Sequence, residues 1–155
     1  MPLYISRTAG PPQGDATAVA WWQTPYGRWR LAAEGEAMRR FPGFRASLDE
    51  DGCLCWGGRL VSALARGKRY LVRVTYPNDF PDRAPVVTIA KPAFPSEVPH
   101  LLPGNRPCLY RSADGSQNGY NPASTTAATL VAWTALWIHA FETWRATGEW
   151  PGMET

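Results

Sequence analysis

The clearest strand pattern in the chain is Tyr70-Leu71-Val72-Arg73-Val74-Thr75-Tyr76. Tyrosine and valine occupy every second position, so they share one face of a strand while the residues between them point to the other face. Aromatic and β-branched residues are also enriched in strands. We therefore predict a β-strand here that buries its tyrosine and valine face.

Three further strand patterns flank this one. Residues 44–48 alternate between apolar and polar side chains, Asp51-Gly52 is a hairpin-turn pair, and residues 54–61 are expected to form the return strand. A short apolar run follows at residues 86–89. Because the links between these segments are short, we predict a four-stranded antiparallel meander.

Two helices are predicted, one on either side of the strands. In the first, Thr24 is the cap and Pro25 the first residue, and a stop follows at Pro42-Gly43. Its apolar stripe is predicted to contain Trp22, Tyr26, Trp29, Ala33, Ala37, Met38 and Phe41. The second helix begins near Ser124 or Thr125 and ends at Gly148.

The second helix is expected to be the main partner of the sheet. Its apolar residues recur at three or four positions, which is the period of a helix with one buried face. They are Leu130, Trp133, Trp137, Phe141 and Trp144, widened by Val131 and Ile138. His139, within the same stretch, is expected to be a hydrogen-bonded packing residue.

The segments outside these elements differ in character. Residues 1–20 contain glycine and proline without apolar periodicity, so we expect a flexible lead-in followed by a single domain over residues 21–152. Nine of the 15 prolines fall between residues 77 and 122. Such a segment is irregular but stiff, which suits a site that must hold a side chain in place.

Composition excludes several classes of protein. The chain has 155 residues, 45% of them hydrophobic, which is enough for one domain core. The formal net charge of +3 is too small to indicate nucleic-acid binding. The longest apolar stretch, 127–141, falls short of the roughly 20 residues of a membrane span. Three cysteines do not make a disulfide framework, so we expect a reducing, cytoplasmic setting.

Cys108 is the residue most suited to chemistry, because it stands at the end of the proline-rich segment with His100 eight residues before it. A thiolate is an intrinsically good nucleophile. A buried, inert cysteine remains an alternative from spacing alone. His100 either positions the loop or handles a proton.

The other candidate sites in the sequence are weaker. Cys53 and Cys55 have no second pair at zinc-ligand spacing, so no metal is predicted. Gly57 and Gly58 do not form a phosphate-binding loop, and no cofactor is predicted. On the first helix, Arg28, Arg30, Arg39 and Arg40 form a basic face that is either only solvated or docks a partner.

Four stretches occur in an order and spacing that point together to one family. They are Tyr76-Pro77 with Phe80-Pro81 and Ala84-Pro85-Val86-Val87; His100, Gly104 and Pro107-Cys108-Leu109; Tyr120-Asn121-Pro122-Ala123-Ser124-Thr125; and Thr147-Gly148-Glu149-Trp150-Pro151-Gly152. They resemble the ubiquitin-conjugating enzyme fold, specifically its compact bacterial relatives in antiphage conjugation systems of the CBASS type. The resemblance implies an α+β fold with an N-terminal helix, a four-stranded antiparallel meander, an active-site loop and a long helix packed on the sheet.

The resemblance also implies a reaction and its partners. Cys108 would hold the C-terminus of another protein as a thioester and pass it to an amine, with His100 positioning the loop or handling a proton. The carried protein would be a cGAS-like nucleotidyltransferase or a ubiquitin-like protein, and an activating enzyme is a further expected partner. Neither a nucleic-acid nor a membrane partner is implied.

Two features depart from the family pattern. In eukaryotic members proline and asparagine usually follow the histidine, whereas two leucines follow His100 here. We expect Asn105, Asn118 or Asn121 to take over the missing asparagine's support of the loop or of the developing oxyanion. The chain also ends soon after the second helix, so the family's final helices are expected to be truncated.

Two other classes of function stay open. One is a catalytically inactive module that has kept the fold and binds a partner, which the missing asparagine favours and Cys108 disfavours. The other is a cysteine hydrolase with His100 as its base, which is disfavoured because the sequence shows no evident orienting acid.

Overall fold

The computed structural model describes residues 6–7, 19–109 and 119–151. Helix α1 spans Pro25–Met38, and the hydroxyl of Thr24 accepts a hydrogen bond from the Gly27 N–H at 2.9 Å. The predicted cap and first residue are therefore confirmed. The helix ends before Phe41 because the N–H groups of residues 39–41 bond carbonyls three residues back, as in a tightened last turn.

The buried face of α1 differs from the predicted apolar stripe. Tyr26 and Trp29 are 55% and 68% exposed, so the prediction that they pack inward is wrong. The physical reason is that α1 faces polar main chain, whose carbonyl groups need hydrogen-bond donors. The residues that α1 buries are Gly27, Arg30, Glu34 and Met38.

The predicted four-stranded antiparallel meander is confirmed. Its strands are β2 at Arg45–Leu48, β3 at Leu54–Val61, β4 at Arg69–Thr75 and β5 at Val86–Lys91. They pair in chain order, each antiparallel to the next. Strand β4 buries alternate residues, as its sequence predicts.

The predicted hairpin turn between β2 and β3 is also present. Gly52 has a φ of 78°, a left-handed conformation that glycine adopts at little cost. The Asp49 carboxylate oxygen Oδ1 accepts hydrogen bonds from the N–H groups of Asp51 and Cys53, both at 2.9 Å. The turn is thus fixed by a side chain that replaces main-chain acceptors.

A fifth strand, β1, consists of Ser6–Arg7 and pairs in parallel with β2 at Ser47 and Leu48. The sequence places these two residues in the flexible lead-in, so their pairing with the sheet departs from that expectation. A two-residue strand is too short for an alternating pattern to be visible. Most of the lead-in lies outside the described residues.

Helix α2 spans Ala127–Thr147 and packs on the sheet. It begins slightly later than predicted because Thr126, not Ser124 or Thr125, is the cap, accepting from the Thr129 N–H at 3.3 Å. It ends as predicted at Gly148, which has a φ of 81°. His139 is exposed, so the expectation that it packs is wrong.

The core lies between α2 and one face of the sheet. The Phe141 ring of α2 meets the Tyr70 ring of β4 edge to face, with centroids 6.5 Å apart. Trp133 and Trp144 are only half-buried. Fully buried core residues include Tyr70, Val72, Val74, Ile89, Leu130, Val131 and Trp137. Neither helix in the described part of the chain combines the length and apolarity needed to cross a bilayer.

Candidate active site

Cys108 lies at the end of a short β-hairpin. The hairpin strands are β6 at Leu101–Leu102 and β7 at Arg106–Pro107, which pair antiparallel. The Cys108 N–H donates to the carbonyl of His100 at 2.8 Å, so the pairing continues one residue beyond both strands. Cys108 is half-buried, and part of the residue is therefore in contact with solvent.

The turn of this hairpin needs residues that tolerate a left-handed backbone. Gly104 and Asn105 have φ values of 81° and 56°, in the region that glycine and asparagine adopt most readily. The carbonyl of Asn105 accepts a hydrogen bond from the N–H of Ile89, on β5, at 2.9 Å. The turn therefore attaches the hairpin to the sheet.

The carbonyl of His100 fixes the main chain beside the cysteine. It accepts both the Cys108 N–H and the indole Nε1–H of Trp137, the latter at 2.9 Å. Trp137 lies on α2 and is only 1% exposed. A carbonyl oxygen has two lone pairs, and here one bonds Cys108 while the other bonds α2. The main chain at Cys108, which lies in no helix or strand, is therefore tied to a rigid helix.

The side chain of His100 is exposed and lies beside Trp150. The two ring centroids are 5.1 Å apart, and the Trp150 ring is in turn 5.5 Å from that of Trp137. Toward the described residues the imidazole makes no hydrogen bond and no ion pair. A hydrolytic triad needs a third group that orients the base, and no described residue takes that place beside the His100 imidazole.

Of the three candidate asparagines, the two that lie in the described part of the chain occupy different turns. Asn105 is half-buried in the hairpin turn, and Asn121 is exposed in the turn that leads into α2. The Asn121 oxygen Oδ1 accepts the N–H of Ala123 at 2.9 Å, so it is used within its own turn. Neither side chain hydrogen-bonds Cys108, and Asn118 lies outside the described residues. The support of an oxyanion by an asparagine stays a prediction.

Three of the four arginines predicted to form a docking face are exposed. They are Arg28, Arg39 and Arg40. The side chain of Arg39 lies 3.3 Å from Glu36 in an exposed ion pair. Arg28, Tyr26 and Trp29 lie on α1, and the two aromatic rings have centroids 6.2 Å apart, whereas Arg39 and Arg40 follow the last residue of the helix, Met38. Docking of a partner by this helix stays a prediction.

The prediction is wrong for Arg30, which is only 3% exposed. Its guanidinium donates to the carbonyls of Pro122 at 2.7 Å and Thr125 at 2.8 Å, with a longer bond to Ala123. These carbonyls belong to the segment that enters α2. The residue therefore joins two parts of the fold and is unavailable to a partner.

Glu34 completes a buried polar cluster around Arg30 that the sequence analysis missed. Its Oε2 lies 3.3 Å from the Arg30 Nε, and its Oε1 accepts from the Tyr76 hydroxyl at 2.7 Å and the Ala127 N–H at 2.8 Å. Burial raises the pKa of the Glu34 carboxyl, although these hydrogen bonds and the Arg30 charge act to lower it. The spacing of Arg30 and Glu34, four residues apart on a helix, is the signal that marks such a pair.

No three His, Cys, Asp or Glu side chains among the described residues come together in a group able to hold a metal ion. Cys55 is buried in β3, and Cys53 precedes that strand. At this site the thiol of Cys108 is a group that can act as a nucleophile.

Two solved structures share this architecture. Human ubiquitin-conjugating enzyme E2 G1 aligns with a TM-score of 0.51 and 18% sequence identity, over 77% of this chain and 97% of that one. The yeast vps23 UEV domain, solved in complex with a vps27 PSDP peptide, aligns with a TM-score of 0.51 and 16% identity, over 74% of this chain and 82% of that one. At such low identity these similarities show the fold alone.

Sequence comparison identifies the family. No curated protein sequence matches this chain. Residues 34–155, which include Cys108 and His100, match the family described as Type II CBASS E2 protein. The family implies an E2-like role in a conjugation pathway with protein partners. In agreement with the motifs that resemble ubiquitin-conjugating enzymes, the chain belongs to the Type II CBASS E2 family.

Proposed function

We propose that this protein carries the C-terminus of another protein as a thioester on Cys108 and transfers it to an amine, in bacterial antiphage defence. The carried protein is a cGAS-like nucleotidyltransferase or a ubiquitin-like protein. The observation that carries the proposal is the setting of Cys108, a partly exposed cysteine whose N–H is bonded to the His100 carbonyl. Membership of an E2 family supports it.

The reaction has two steps. First, the Cys108 sulfur attacks the acyl carbon of a carboxyl group that a separate enzyme has activated; a C–S bond forms and the activating group leaves. Second, an amine attacks the same carbon; a C–N bond forms, the C–S bond breaks, and the proton lost by the amine balances the released thiolate.

The chain's own contribution is orientation. The main chain at Cys108 is held through His100 to α2, so the sulfur has a fixed environment before the acceptor amine arrives. No described carboxylate orients the His100 imidazole toward a proton. A thioester survives against water where no base is positioned to activate that water.

A second candidate function comes from the yeast vps23 UEV domain, which shares the fold. That domain was solved with a bound peptide, and its fold aligns with most of this chain. The second candidate is a module that binds a protein segment without forming a bond to it. The two candidates differ in whether Cys108 is needed for the protein's association with its partner.

The test is intact-mass analysis of the protein co-expressed with the products of its neighbouring genes, with and without reductant. We expect an adduct with a mass equal to the two proteins less one water, as for a thioester, and not less two hydrogens, as for a disulfide. Reductant should release it. Cys108→Ser should give a reductant-resistant ester or no adduct, and Cys108→Ala none.

Cys53→Ala is the matched control, because Cys53 is also a half-buried cysteine. It should form the adduct like the unmodified protein. An unchanged adduct in Cys108→Ala would end the thioester proposal. Partner binding that persists in Cys108→Ala, with no reductant-sensitive species, would establish the binding module instead.

A further inference from the structure

The face of the sheet turned away from α2 carries an unbalanced positive charge. Strands β2 to β5 contain neither aspartate nor glutamate. Among the described residues, none of the basic side chains on this face takes part in an ion pair. They are Arg45, Arg59, Arg69, Arg73 and Lys91, all exposed. Unneutralised like charges on one face favour the approach of an anion.

Gly57 makes a gap in the middle of this face. The strand register places it between Arg45 on β2 and Arg73 on β4. Neighbouring strands are about 4.8 Å apart, so these two arginine positions are separated by roughly 10 Å across the gap. A hollow of about 420 Å³ opens here, lined by Gly57, Arg59, Leu71 and Arg73 among others. That volume is within the usual range for small-molecule sites.

The two adjacent glycines of β3 have different reasons for lacking a side chain. A Cβ at Gly58 would lie 2.6 Å from the Phe44 ring, so core packing excludes it. A Cβ at Gly57 would meet nothing within 4 Å, and Gly57 does not have a positive φ. Glycine weakens a strand interior and often marks a bulge, a bend, or the close approach of a ligand or another backbone, and the strand pairing at Gly57 is regular on both sides.

We propose that this hollow binds a nucleotide-sized organic phosphate, with its phosphate against Arg59 and Arg73 and a planar or apolar body over Gly57 and Leu71. A guanidinium group pairs with phosphate through two parallel hydrogen bonds. Leu71, 38% exposed, supplies an apolar wall. The absent side chain at position 57 leaves room for a ring to approach the strand.

This site is separate from the proposed thioester chemistry. It lies on the face opposite Tyr70, whose ring packs against α2, and α2 is the helix that holds His100. Side chains of successive residues in a strand point to opposite faces, so the side chains of Leu71 and Tyr70 lie on opposite faces of the sheet. Binding in the hollow therefore does not depend on what Cys108 carries.

The test is titration of the full chain with adenosine 5′-monophosphate, followed by amide chemical shifts in NMR. Adenosine and inorganic phosphate are titrated separately as the two halves of the probe. We expect saturable shifts at Gly57, Gly58, Leu71 and Arg73 with the nucleotide, and at least tenfold weaker binding of either half. No response to the nucleotide, or an equal response to phosphate alone, would overturn the proposal.

Three variants test the location. Gly57→Leu fills the hollow and Arg73→Gln removes one guanidinium, and each should weaken nucleotide binding at least tenfold. Arg69→Gln is the matched control on the same strand and face, and it should weaken binding less than twofold. If all three weaken binding equally, the attraction is diffuse and the proposal fails. If Gly57→Leu does not fold, the comparison of nucleotide binding by Arg73→Gln and by Arg69→Gln decides. Equal binding by these two variants overturns the proposed site.

Discussion

Replacing Arg30 by methionine is expected to destabilise the protein strongly, because one side chain joins two segments distant in sequence. Arg30 donates to the carbonyls of residues 122, 123 and 125 and pairs with Glu34. Methionine keeps much of the volume but offers no donor. The substitution therefore leaves the Glu34 carboxylate, which is completely buried, without its cation.

The size of the destabilisation caused by Arg30→Met follows from the burial of Glu34. Removing one partner of a buried ion pair costs about 3–5 kcal/mol, because the remaining charge is left uncompensated. In a domain of this size, each kcal/mol lowers the melting temperature by about 2–4 °C. The melting temperature of Arg30→Met should therefore fall by roughly 6–20 °C.

The loss of stability caused by Arg30→Met should also depend on pH. Burial raises the pKa of Glu34, and Arg30 is among the groups that lower it, so in the variant this pKa rises further. When the folded pKa of a carboxyl lies above its unfolded value of about 4.3, the folded state binds more protons and stability increases as pH falls through that range. The destabilisation by Arg30→Met should be larger at pH 8 than at pH 5.

Urea denaturation followed by tryptophan fluorescence, at both pH values, measures the effect. Arg39→Met is the matched control, because Arg39 directly follows the same helix and forms an exposed ion pair with Glu36. Such a pair contributes about 1 kcal/mol or less. The reasoning is refuted if Arg30→Met costs no more than Arg39→Met at pH 8, or if its cost grows toward pH 5.

Trp150 and Cys53 give two further expectations. Trp150→Leu should remove about 1 kcal/mol of aromatic packing from His100 and Trp137, and should speed hydrogen exchange of the Cys108 amide about fivefold. Unchanged exchange would show that Trp150 does not hold the hairpin. Burial, followed by the charges of Asp49 and Asp51, raises the pKa of the Cys53 thiol, so its alkylation by iodoacetamide should reach half its maximal rate at a higher pH than that of a cysteine in an unstructured neutral peptide. A midpoint at or below that of the peptide cysteine, read by peptide mass spectrometry, would contradict this.

The four strands of the meander, β2 to β5, were predictable because each leaves a local trace in the sequence. In β4 every second residue is buried, so the alternation of side chains directly records the two faces of the sheet. The same logic fails for α1, which buries Arg30 and Glu34 and exposes Tyr26 and Trp29. Apolar periodicity counts only apolar residues, so it cannot detect a helix face that is buried by hydrogen bonding to distant carbonyls.

The candidate site was predictable in its residues but not in its contacts. Cys108 and His100 were singled out from motifs and spacing. The bond from Trp137 to the His100 carbonyl joins residues 37 apart in sequence, and it depends on how α2 lies against the hairpin. Trp137 was assigned to the core from its helical spacing, which is correct, yet a core tryptophan also needs a partner for its indole N–H.

That second role of Trp137 bears on the asparagine missing after His100. In the described part of the chain, the cysteine hairpin is held at both ends by main-chain carbonyls: His100 accepts from Trp137 and Cys108, and Asn105 accepts from Ile89. Main-chain acceptors stay the same when neighbouring side chains change, so a loop fixed in this way tolerates leucine at the two positions after the histidine. Among the described residues these main-chain bonds support the loop without an asparagine side chain, whereas stabilisation of an oxyanion requires a donor that points toward the reacting carbon.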